Sequence, residues 1–581
     1  MKHAPSHFYN HVYNYSLRMS RKPTWYMPLL VISLLLFVSC QPAARPVLPG
    51  VDMVCQPGEI SVFQGEKALV TFTMTNRLAE TIRTESNYFL SYHLYDEKGK
   101  LVAFDNRRYA LPRVLRRNKT TAFEIPMFFS FPQSGKYLVE FDIVKEGAYW
   151  GSEKKWQTCR VKLHLKPLVS AEFKQKYMSH VITTDNPLFD QEQYLLRLTF
   201  KNSEKQTGDG KLFGFSAGSD YPQVWIRDTA TFIRYALLFY PRDTLENSVE
   251  QFLLYQGVDG EILDWVDMSG QTGKNTVETD QESSLVLAAE PIALSHPAWL
   301  ARDINGKTIL ERLNMALEWV WEKKRDVKQQ LITSGFTADW GDTENTFPDQ
   351  RATQLSDKST LVFAIYTQAK YIQAIQSLLR VMELNNGKGS SKPTELKKWK
   401  QRLSTLKQQT FKQLYLQDKG YFITHMVQGA DREKYFKLEQ DILPVGGNAE
   451  AILAGLMDRQ QIQRFIEVLE QRRQEYQLRT VSFTLLPPYP EGFFPHHLLR
   501  HPWSYQNGGE WDWIGARVVK ALLLNGFRQE ALVYLQEIVK KNLANYCIYE
   551  WEDRGGTGRG ALFYAGAAGL IGETLLLAYP K

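Results

Sequence analysis

Residues 224–240 read VWIRDTATFIRYALLFY, and two features of this stretch bear on the fold. Its second half spaces apolar residues three and four apart, which predicts an amphipathic helix near 227–240. Its first half places Trp225, Arg227 and Asp228 together where that helix begins. A tryptophan beside a charged pair at a helix start indicates either a capped terminus or a ligand site. The rest of the sequence has to discriminate between them.

A loop followed by an amphipathic helix recurs along the chain after about residue 180. The same spacing predicts about eleven helices, near 227–240, 243–256, 280–294, 305–324, 357–381, 394–416, 447–457, 459–474, 508–525, 527–541 and 561–577. Loops after alternate helices are rich in tryptophan, glycine and carboxylates, as in EILDWVDMSG (261–270), TSGFTADWGDTENT (333–346) and YEWEDRGGTGRG (549–560). This pattern is typical of an (α/α)6 barrel, because a plain helical solenoid gives no reason to concentrate these residues in loops.

Residues 51–166 show a different periodicity. Six runs alternate apolar and polar residues, namely ISVF, ALVTFTMTN, YFLSYHLYD, TTAFEIPMFFSF, GKYLVEFDIV and CRVKLHLK. They predict an antiparallel β-sandwich that precedes an all-α toroid. Cys55 and Cys159 bracket this region and could pair, whereas Cys547 lies in an apolar stretch and is expected to be buried.

The N-terminus predicts export. Four basic residues and no acid occur in the first 40 positions, followed by the apolar run Met27–Val38, which is too short to span a bilayer comfortably. The run ends in FVSC, which resembles a bacterial lipobox with Cys40 as the lipidated residue; an uncleaved anchor is the alternative. We therefore divide the chain into 1–40 as signal or anchor, 41–50 as linker, 51–166 as sandwich and 167–581 as barrel.

Composition excludes some partners. The formal charge of +7 falls to +3 once the four N-terminal basic residues are set aside, which argues against a nucleic-acid partner. The 14 Trp and 29 Tyr residues are compatible with carbohydrate binding, and equally with a large aromatic core. His496, His497 and His501 lack acidic partners at helical spacing, so we expect neither a metal nor a cofactor.

Carboxylates in separate loops are the candidates for chemistry, since glycoside hydrolysis requires two of them. In ADWGD (338–342), Asp339 and Asp342 flank Trp340; an Asx turn or helix cap is the other interpretation of Asp342. In YEWEDRGGTGRG, Glu550 is accompanied by two further acids. These three acids are expected to face different ways, because close carboxylates repel unless each has its own partner. A solvated acidic turn is the alternative.

Two further segments contribute candidate ligands. SYQNGGEWDW (504–513) supplies Asn507, Glu510, Trp511 and Trp513, with Glu510 either a first-turn acid or a site residue. ETDQESS (278–284) supplies Asp280, for which helix capping is the preferred interpretation, and Gln281, which could face the centre of the barrel.

These motifs, in this order, resemble those of the six-hairpin glycosidases, including neutral invertases, trehalases and glucosidases of the debranching type. In that resemblance VWIRD is the substrate segment, which implies Trp225 as a sugar platform and Arg227 and Asp228 as hydroxyl ligands in the −1 subsite. The C-terminal acidic motif implies Glu550 as general base. The ADWGD loop is similar to the acidic-Trp loop of related phosphorylases and glucosidases, which implies Asp342 as general acid.

The resemblance also leaves alternatives. Asp339 and Glu510 are the other candidate catalytic carboxylates, and Glu552 stands where the family has an aromatic residue. The expected function is an exported, membrane-anchored glycosidase that inverts configuration on an oligo- or polysaccharide; the alternative is a non-catalytic polysaccharide-binding lipoprotein of a surface-glycan system. A phosphorylase would need a basic phosphate cradle, which the acids beside Glu550 argue against. The expected substrate-binding residues are Trp225, Arg227, Asp228, Gln281, Trp340, Asn507, Trp511 and Trp513.

Overall fold

The computed structural model describes residues 49–131, 133–385 and 393–580. The chain divides into two compact units: the first runs to Val62 and continues over Lys67–Phe129 and Gln133–Lys166, and the second takes in the remaining residues. The predicted signal region, most of the linker and Cys40 lie outside the described residues. Within the described ranges, no helix has both the length and the apolar character needed to cross a membrane.

The first unit is built from two sheets. One has the order β1-β3-β7 and the other β2-β10-β8-β4-β5, with β6 beside β4 and β9 beside β8. The strands are β1 (Val51–Gln56), β2 (Glu59–Phe63), β3 (Lys67–Asn76), β4 (Tyr88–Asp96), β5 (Leu101–Ala103), β6 (Tyr109–Ala110), β7 (Thr120–Phe128), β8 (Gly135–Lys145), β9 (Tyr149–Trp150) and β10 (Cys159–Lys166). All six strands predicted from the alternating pattern are present, and β1 is a strand that the pattern missed.

Contacts join the two sheets of this unit. Phe72 of β3 meets Phe141 of β8 edge to face, with ring centroids 5.0 Å apart. A disulfide links Cys55 of β1 to Cys159 of β10, so the pairing that the sequence allowed is present. Cys547, in the second unit, is buried and free, as expected. The first unit thus confirms a β-rich region with antiparallel pairing.

The described part of the second unit contains fourteen α-helices. They are α1 (Ala171–Tyr177), α2 (Pro187–Ser203), α3 (Ile226–Ala236), α4 (Arg242–Leu254), α5 (Gln281–Ser295), α6 (Ile309–Lys323), α7 (Ile365–Asn385), α8 (Pro393–Leu414), α9 (Arg432–Glu439), α10 (Val445–Leu453), α11 (Arg459–Tyr476), α12 (Asp512–Leu524), α13 (Arg528–Asn545) and α14 (Ala565–Ala578).

Six of these helices form a closed ring. In the order α3, α5, α7, α10, α12 and α14, each packs against the next, and α14 returns to α3. Helices α2, α4, α6, α8 and α13 pack on this ring and alternate with its members along the chain, and α11 continues the alternation. Gly569 and Gly572 allow α14 to approach α3 closely, since an added Cβ would lie 2.3–2.4 Å from Phe232 or Tyr235. This is the (α/α)6 arrangement that the loop-and-helix pattern predicts.

Three helices were not predicted: α1, α2 and α9. Helix α2 escapes the pattern because it buries polar side chains as well as apolar ones, among them Glu192, Gln193 and Asn202. Glu192 and Gln193 interrupt the apolar spacing in the first half of α2, whereas its second half, Leu195–Phe200, is largely apolar.

Short strands connect the loops of this unit. All but two lie in the segments that lead from an outer helix into the next ring helix; β16 and β17 are the exceptions. They are β11 (Glu204–Gln206), β12 (Leu212–Phe215), β13 (Val224–Trp225), β14 (Trp265–Val266), β15 (Thr272–Gly273), β16 (Asp303–Ile304), β17 (Lys307–Thr308), β18 (Arg325–Asp326), β19 (Leu331–Ile332), β20 (Ser334–Gly335), β21 (Leu361–Ala364), β22 (Tyr415–Leu416), β23 (Tyr421–Phe422), β24 (His425–Val427), β25 (Leu443–Pro444), β26 (Leu485–Leu486), β27 (Trp551–Glu552) and β28 (Gly558–Arg559).

These strands join neighbouring loops around one end of the ring. Strand β13 pairs with β14, β21 with β24, and β25 with β26, while Glu510 bridges to Glu552. The loops therefore collect at the N-terminal ends of the six ring helices, where the positive ends of the helix dipoles favour carboxylates.

Candidate active site

The predicted residues converge at this N-terminal end of the ring. Arg227 lies in the first turn of α3, Asp280 directly precedes α5, and Asp342 lies in the loop between α6 and α7. The guanidinium of Arg227 contacts both of these carboxylates. Glu550, in the loop before α14, is close enough for the negative charge of Asp342 to raise its pKa. Four separate segments of sequence therefore meet in one site.

Arg227 is the central cation of the site. Its Nε and Nη2 donate to the two oxygens of Asp280 at 2.8 and 3.1 Å, and its Nη1 donates to Asp342 at 2.9 Å. It also contacts Glu278. The expectation that Asp280 caps α5 is wrong: its side chain makes no capping hydrogen bond, because both oxygens face the guanidinium.

Asp342 is held as a carboxylate that still has exposed surface. Oδ2 accepts hydrogen bonds from the Tyr505 hydroxyl at 3.0 Å and from Gln506 Nε2 at 2.8 Å. Burial alone would raise the pKa of Asp342, but the hydrogen bond with Glu278 and the charge of Arg227 hold it below its usual range. About a third of its side chain is exposed. Asp342 is therefore neither a turn residue nor a helix cap, and it can reach a ligand.

Glu550 is the second carboxyl of the site. Its Oε2 accepts from the Tyr221 hydroxyl at 2.9 Å and from the backbone N–H of Ala561 at 2.8 Å. Gly560, whose φ is +67°, is required beside it, because a Cβ there would lie 2.3 Å from Oε2. Burial raises the pKa of Glu550 to about 7, and the charges of Asp342 and Asp228 add to the shift. A carboxyl with this pKa can exchange a proton near neutrality.

Replacing Glu550 with Gln is expected to stabilise the protein at alkaline pH. Because folding raises this pKa, the contribution of the protonated carboxyl is present below the unfolded pKa and is lost as pH rises through about 7. The gain in unfolding free energy should grow from about 1 kcal/mol near pH 5 to about 3 kcal/mol near pH 8. Urea unfolding at the two pH values measures it.

Asp553→Asn is the matched control for this pH dependence. Asp553 lies in the same loop, where it accepts from the backbone N–H of Thr557 and pairs with Arg559. Asn preserves the turn, so its effect on stability should not grow between the two pH values. A Glu550→Gln effect that is the same at both would show that this carboxyl is already ionised in the folded protein at low pH.

The three acids of the YEWEDRGG segment face different ways, as expected. Glu550 faces the site, whereas Glu552 turns to Arg479 at 2.6 Å and Lys541 at 3.0 Å. Asp553 closes the exposed turn. Although position 552 holds a glutamate where the family has an aromatic residue, Glu550 still faces the site.

Glu510 belongs to the same buried ion network as Glu552. Its carboxylate accepts from Thr480 at 2.7 Å and pairs with Arg479 and Lys541. It has no accessible surface, and these cations hold its pKa below the usual range although burial opposes them. Glu510, an alternative candidate for catalysis, is thus bound by groups of the protein itself.

Asp339 contacts the start of α10. Its Oδ2 accepts from the backbone N–H of Gly447 at 3.0 Å, and the added Cβ at Gly446 would clash with the same carboxylate. Burial raises its pKa to about 7. With only 2% of its surface exposed, Asp339 accepts a hydrogen bond from a helix N-terminus. Of the two acids of ADWGD, Asp342 is the one with exposed surface.

Aromatic side chains line and support the site. Trp225 is partly exposed and lies 6.2 Å from Trp265, centroid to centroid. Trp340 is buried against Trp511 and Trp513, with centroids 5.3 and 5.2 Å away. Trp225 is thus the tryptophan of the predicted set with surface available for a sugar ring.

Three predicted sugar ligands lie behind the site instead. Asn507, Trp513 and Gln281 have no accessible surface in the structure. The side-chain amide of Asn507 is hydrogen-bonded to backbone groups of Tyr489 and Leu499. Gln281 donates to the carbonyl of Asn275. Their polar groups therefore organise the loops rather than face a ligand.

Several residues of the site were missed from the sequence. Glu278 and Asp264 lie near Arg227, Gln506 and Tyr505 hold Asp342, and Tyr221 and Tyr564 bond to Glu550 and Asp228. The sequence feature that could have identified some of them is their position beside recognised motifs. Glu278 is two residues before Asp280, and Tyr505 and Gln506 open the YQNGGEW segment. Nothing in the sequence distinguished them from ordinary loop residues.

The site is strongly acidic. Burial raises the pKa of Asp228 to about 6 and that of Asp264 to about 7. Oδ1 of Asp228 has no hydrogen-bond partner among the described residues. Such a site suits a neutral ligand rich in hydroxyl groups, because hydroxyls donate to carboxylates, whereas an anionic ligand would be repelled.

The opposite end of the ring carries side chains of both charges. A cavity of about 350 Å³ is lined there by residues further along the ring helices, including Arg234, Glu290, Arg380, Lys520 and Glu573. Its carboxylates pair with the surrounding cations, as Glu573 does with Arg234 and Lys520. The positive side chains offset the negative C-terminal ends of the helix dipoles. The charges that line the cavity therefore have a structural role in the barrel.

No family model and no curated protein matches the chain. Similar solved structures include a GH63 mannosylglycerate hydrolase from Thermus thermophilus in complex with glucose, 14% identical with a TM-score of 0.49, over 67% of this chain and 100% of that chain. A rhamnosidase from Klebsiella oxytoca with rhamnose bound is 12% identical with a TM-score of 0.47, over 88% and 87%. A family 76 glycoside hydrolase from a bovine Bacteroides thetaiotaomicron strain is 8% identical with a TM-score of 0.38, over 90% and 98%.

Proposed function

We propose that the protein is a glycoside hydrolase of the six-hairpin type that acts by inversion on an oligo- or polysaccharide. The observation that carries this proposal is the pair Asp342 and Glu550, two carboxyl groups from different loops that occupy one acidic site. Asp342 retains exposed surface, and the pKa of Glu550 is raised to about 7. Two carboxyl groups in different environments are what acid–base hydrolysis of a glycosidic bond requires.

In the proposed mechanism Asp342 passes a proton to the leaving-group oxygen, and the ionised form of Glu550 removes one from the attacking water. Because the pKa of Asp342 is held low, Asp342 must first receive that proton from a neighbouring carboxyl group. Tyr221 and the Ala561 N–H orient Glu550 through its Oε2. Trp225 offers its partly exposed ring to the sugar, whereas Oδ1 of Asp228 is buried. Arg227 fixes Asp342 in place.

A non-catalytic sugar-binding protein is the second candidate. The sequence feature that favoured it was Glu552, but this residue lies in the ion network with Lys541 and takes no part in the site. Asp342 and Glu550, from different loops, also meet in one site, as acid–base hydrolysis requires and sugar binding alone does not. We therefore prefer the hydrolase.

We also propose that the protein is exported and anchored to the membrane through its N-terminus, by lipidated Cys40 or by the Met27–Val38 run itself. The motif FVSC and the basic residues before the apolar run support this proposal. The first unit, with two sheets joined by a disulfide, is proposed to be a β-sandwich that serves as a spacer or glycan-binding module.

The test is hydrolysis by the protein of nitrophenyl α- and β-glycosides and of unmodified oligosaccharides. Wild type should release sugar from at least one linkage, and proton NMR of the first product should show the inverted anomer. A retained anomer would exclude the inverting mechanism. No hydrolysis of any substrate, together with measurable binding of a glycan, would favour the binding protein.

A further inference from the structure

Three carboxyl groups share one cation in the site. The guanidinium of Arg227 contacts Glu278, Asp280 and Asp342. If all three were ionised, the group would carry a net charge of −2 in surroundings largely closed to water. Neighbouring carboxyl groups in such a place avoid this charge by retaining a proton between them.

The hydrogen bonds identify which carboxyl keeps the proton. Asp342 accepts from Arg227, Tyr505 and Gln506, and Asp280 accepts twice from Arg227, so both are stabilised as carboxylates. Glu278 and Asp342 contact neighbouring nitrogens of the Arg227 guanidinium, close enough to form a hydrogen bond with each other when one of them is protonated.

Burial and the neighbouring carboxylates favour the neutral form of Glu278, whereas Arg227 and the amide of Gln281 favour the ionised form. Burial raises its pKa well above the usual range; Arg227 opposes this, while the charges of Asp342 and Asp264 reinforce it. Gln281 donates to its Oε2 at 3.2 Å. Glu278 therefore carries the proton and donates it to Asp342.

We infer that Glu278 is a positioning residue that stores the proton which Asp342 passes to the leaving-group oxygen. This inference rests on the proposed hydrolase function. It also explains how a carboxylate held by three donors can act as a general acid: Asp342 contacts the substrate, and the proton comes from behind it.

The step balances in protons and charge. As the glycosidic C–O bond breaks, the proton on Glu278 passes to Asp342, and Asp342 passes it on to the departing oxygen, leaving both carboxyl groups ionised. Water supplies hydroxide to the anomeric carbon and its proton to Glu550. Return of that proton through solvent to the Glu278–Asp342 pair restores the resting state.

Glu278→Gln tests the inference, because the amide keeps the shape and the hydrogen bond to Asp342 but cannot release a proton. On an oligosaccharide, kcat/KM should fall about 10²-fold. On a dinitrophenyl glycoside, whose leaving group needs no proton, it should stay within about threefold, and Glu278→Asp should recover part of the oligosaccharide activity. Equal losses on both substrates, or no loss on either, would overturn the inference.

The matched control is Glu290→Gln, which makes the same change in a buried, ion-paired glutamate at the far end of the ring. It should leave the ratio of the two activities unchanged. An independent readout is the infrared spectrum of the full chain near neutral pH in deuterated buffer. The difference between wild type and Glu278→Gln should contain the band of a protonated carboxyl; its absence would overturn the inference even if the protein hydrolysed no substrate.

Discussion

Replacing Asp342 with Asn is expected to lower kcat/KM for oligosaccharides by about 10³-fold or more, because the leaving-group oxygen then departs without a proton. The fold should persist, since Asn keeps the shape of Asp342 and its one amide oxygen can still accept either from Arg227 or from Tyr505 and Gln506, which bond to different oxygens of the carboxylate. The measurement is steady-state hydrolysis of the same oligosaccharide by wild type and variant, with circular dichroism as the check on folding.

Leaving-group dependence separates loss of the acid from general damage to the site. A dinitrophenyl glycoside should be cleaved by the variant with a much smaller loss. Asp349→Asn is the matched control, because Asp349 is an exposed aspartate in the same loop that pairs with Arg351, and its loss should be negligible. Full activity of Asp342→Asn on oligosaccharides would remove Asp342 from the mechanism and return attention to Asp339.

Lys541→Met is expected to destabilise the protein by about 3–5 kcal/mol, since it leaves buried carboxylates without their shared cation. Lys541 Nζ lies 2.6 Å from Asp512, 3.0 Å from Glu552 and 3.2 Å from Glu510, and its side chain is 9% exposed. Arg479 continues to pair with Glu510 and Glu552, which leaves Asp512 as the carboxylate most affected. Urea unfolding near neutral pH gives the difference in free energy.

Lys540→Met supplies the comparison, because Lys540 is the exposed neighbour on the same helix. Its replacement should change the unfolding free energy by no more than about 0.5 kcal/mol. If Lys541→Met is as stable as Lys540→Met, then the network does not hold the loops before α12 and α14 together, and another interaction must position Glu550.

The sequence predicts the ring helices because each carries apolar residues at helical spacing, on one side in α3 and nearly all round in α5 and α14. It predicts the position of the site for a related reason: tryptophan, glycine and acids are concentrated in the loops that precede those helices. Helix α2 was missed because burial of Glu192 and Gln193 obscures its apolar stripe.

Individual roles depend on partners that are distant in sequence. Asp280 sits at a helix start, where capping is the ordinary expectation, but Arg227 from another loop takes both its oxygens. Asn507 and Trp513 occur in a motif rich in candidate ligands, yet the fold turns them inward. Glu278 is the opposite case: the sequence does not mark it as a site residue, and its proposed role follows from its contact with Asp342.

The closure of the ring by its last helix has a consequence for biosynthesis. Helix α14 packs on α3, and the segment before it is tied to the first loop by hydrogen bonds from Ser219 N–H to the Leu562 carbonyl and from Ala565 N–H to the Ala217 carbonyl. A nascent chain that has not yet reached this segment can build most of the ring helices but has neither Glu550 nor the closing contact. Because such long-range contacts form late, catalytic competence should appear only after synthesis of the whole barrel is complete.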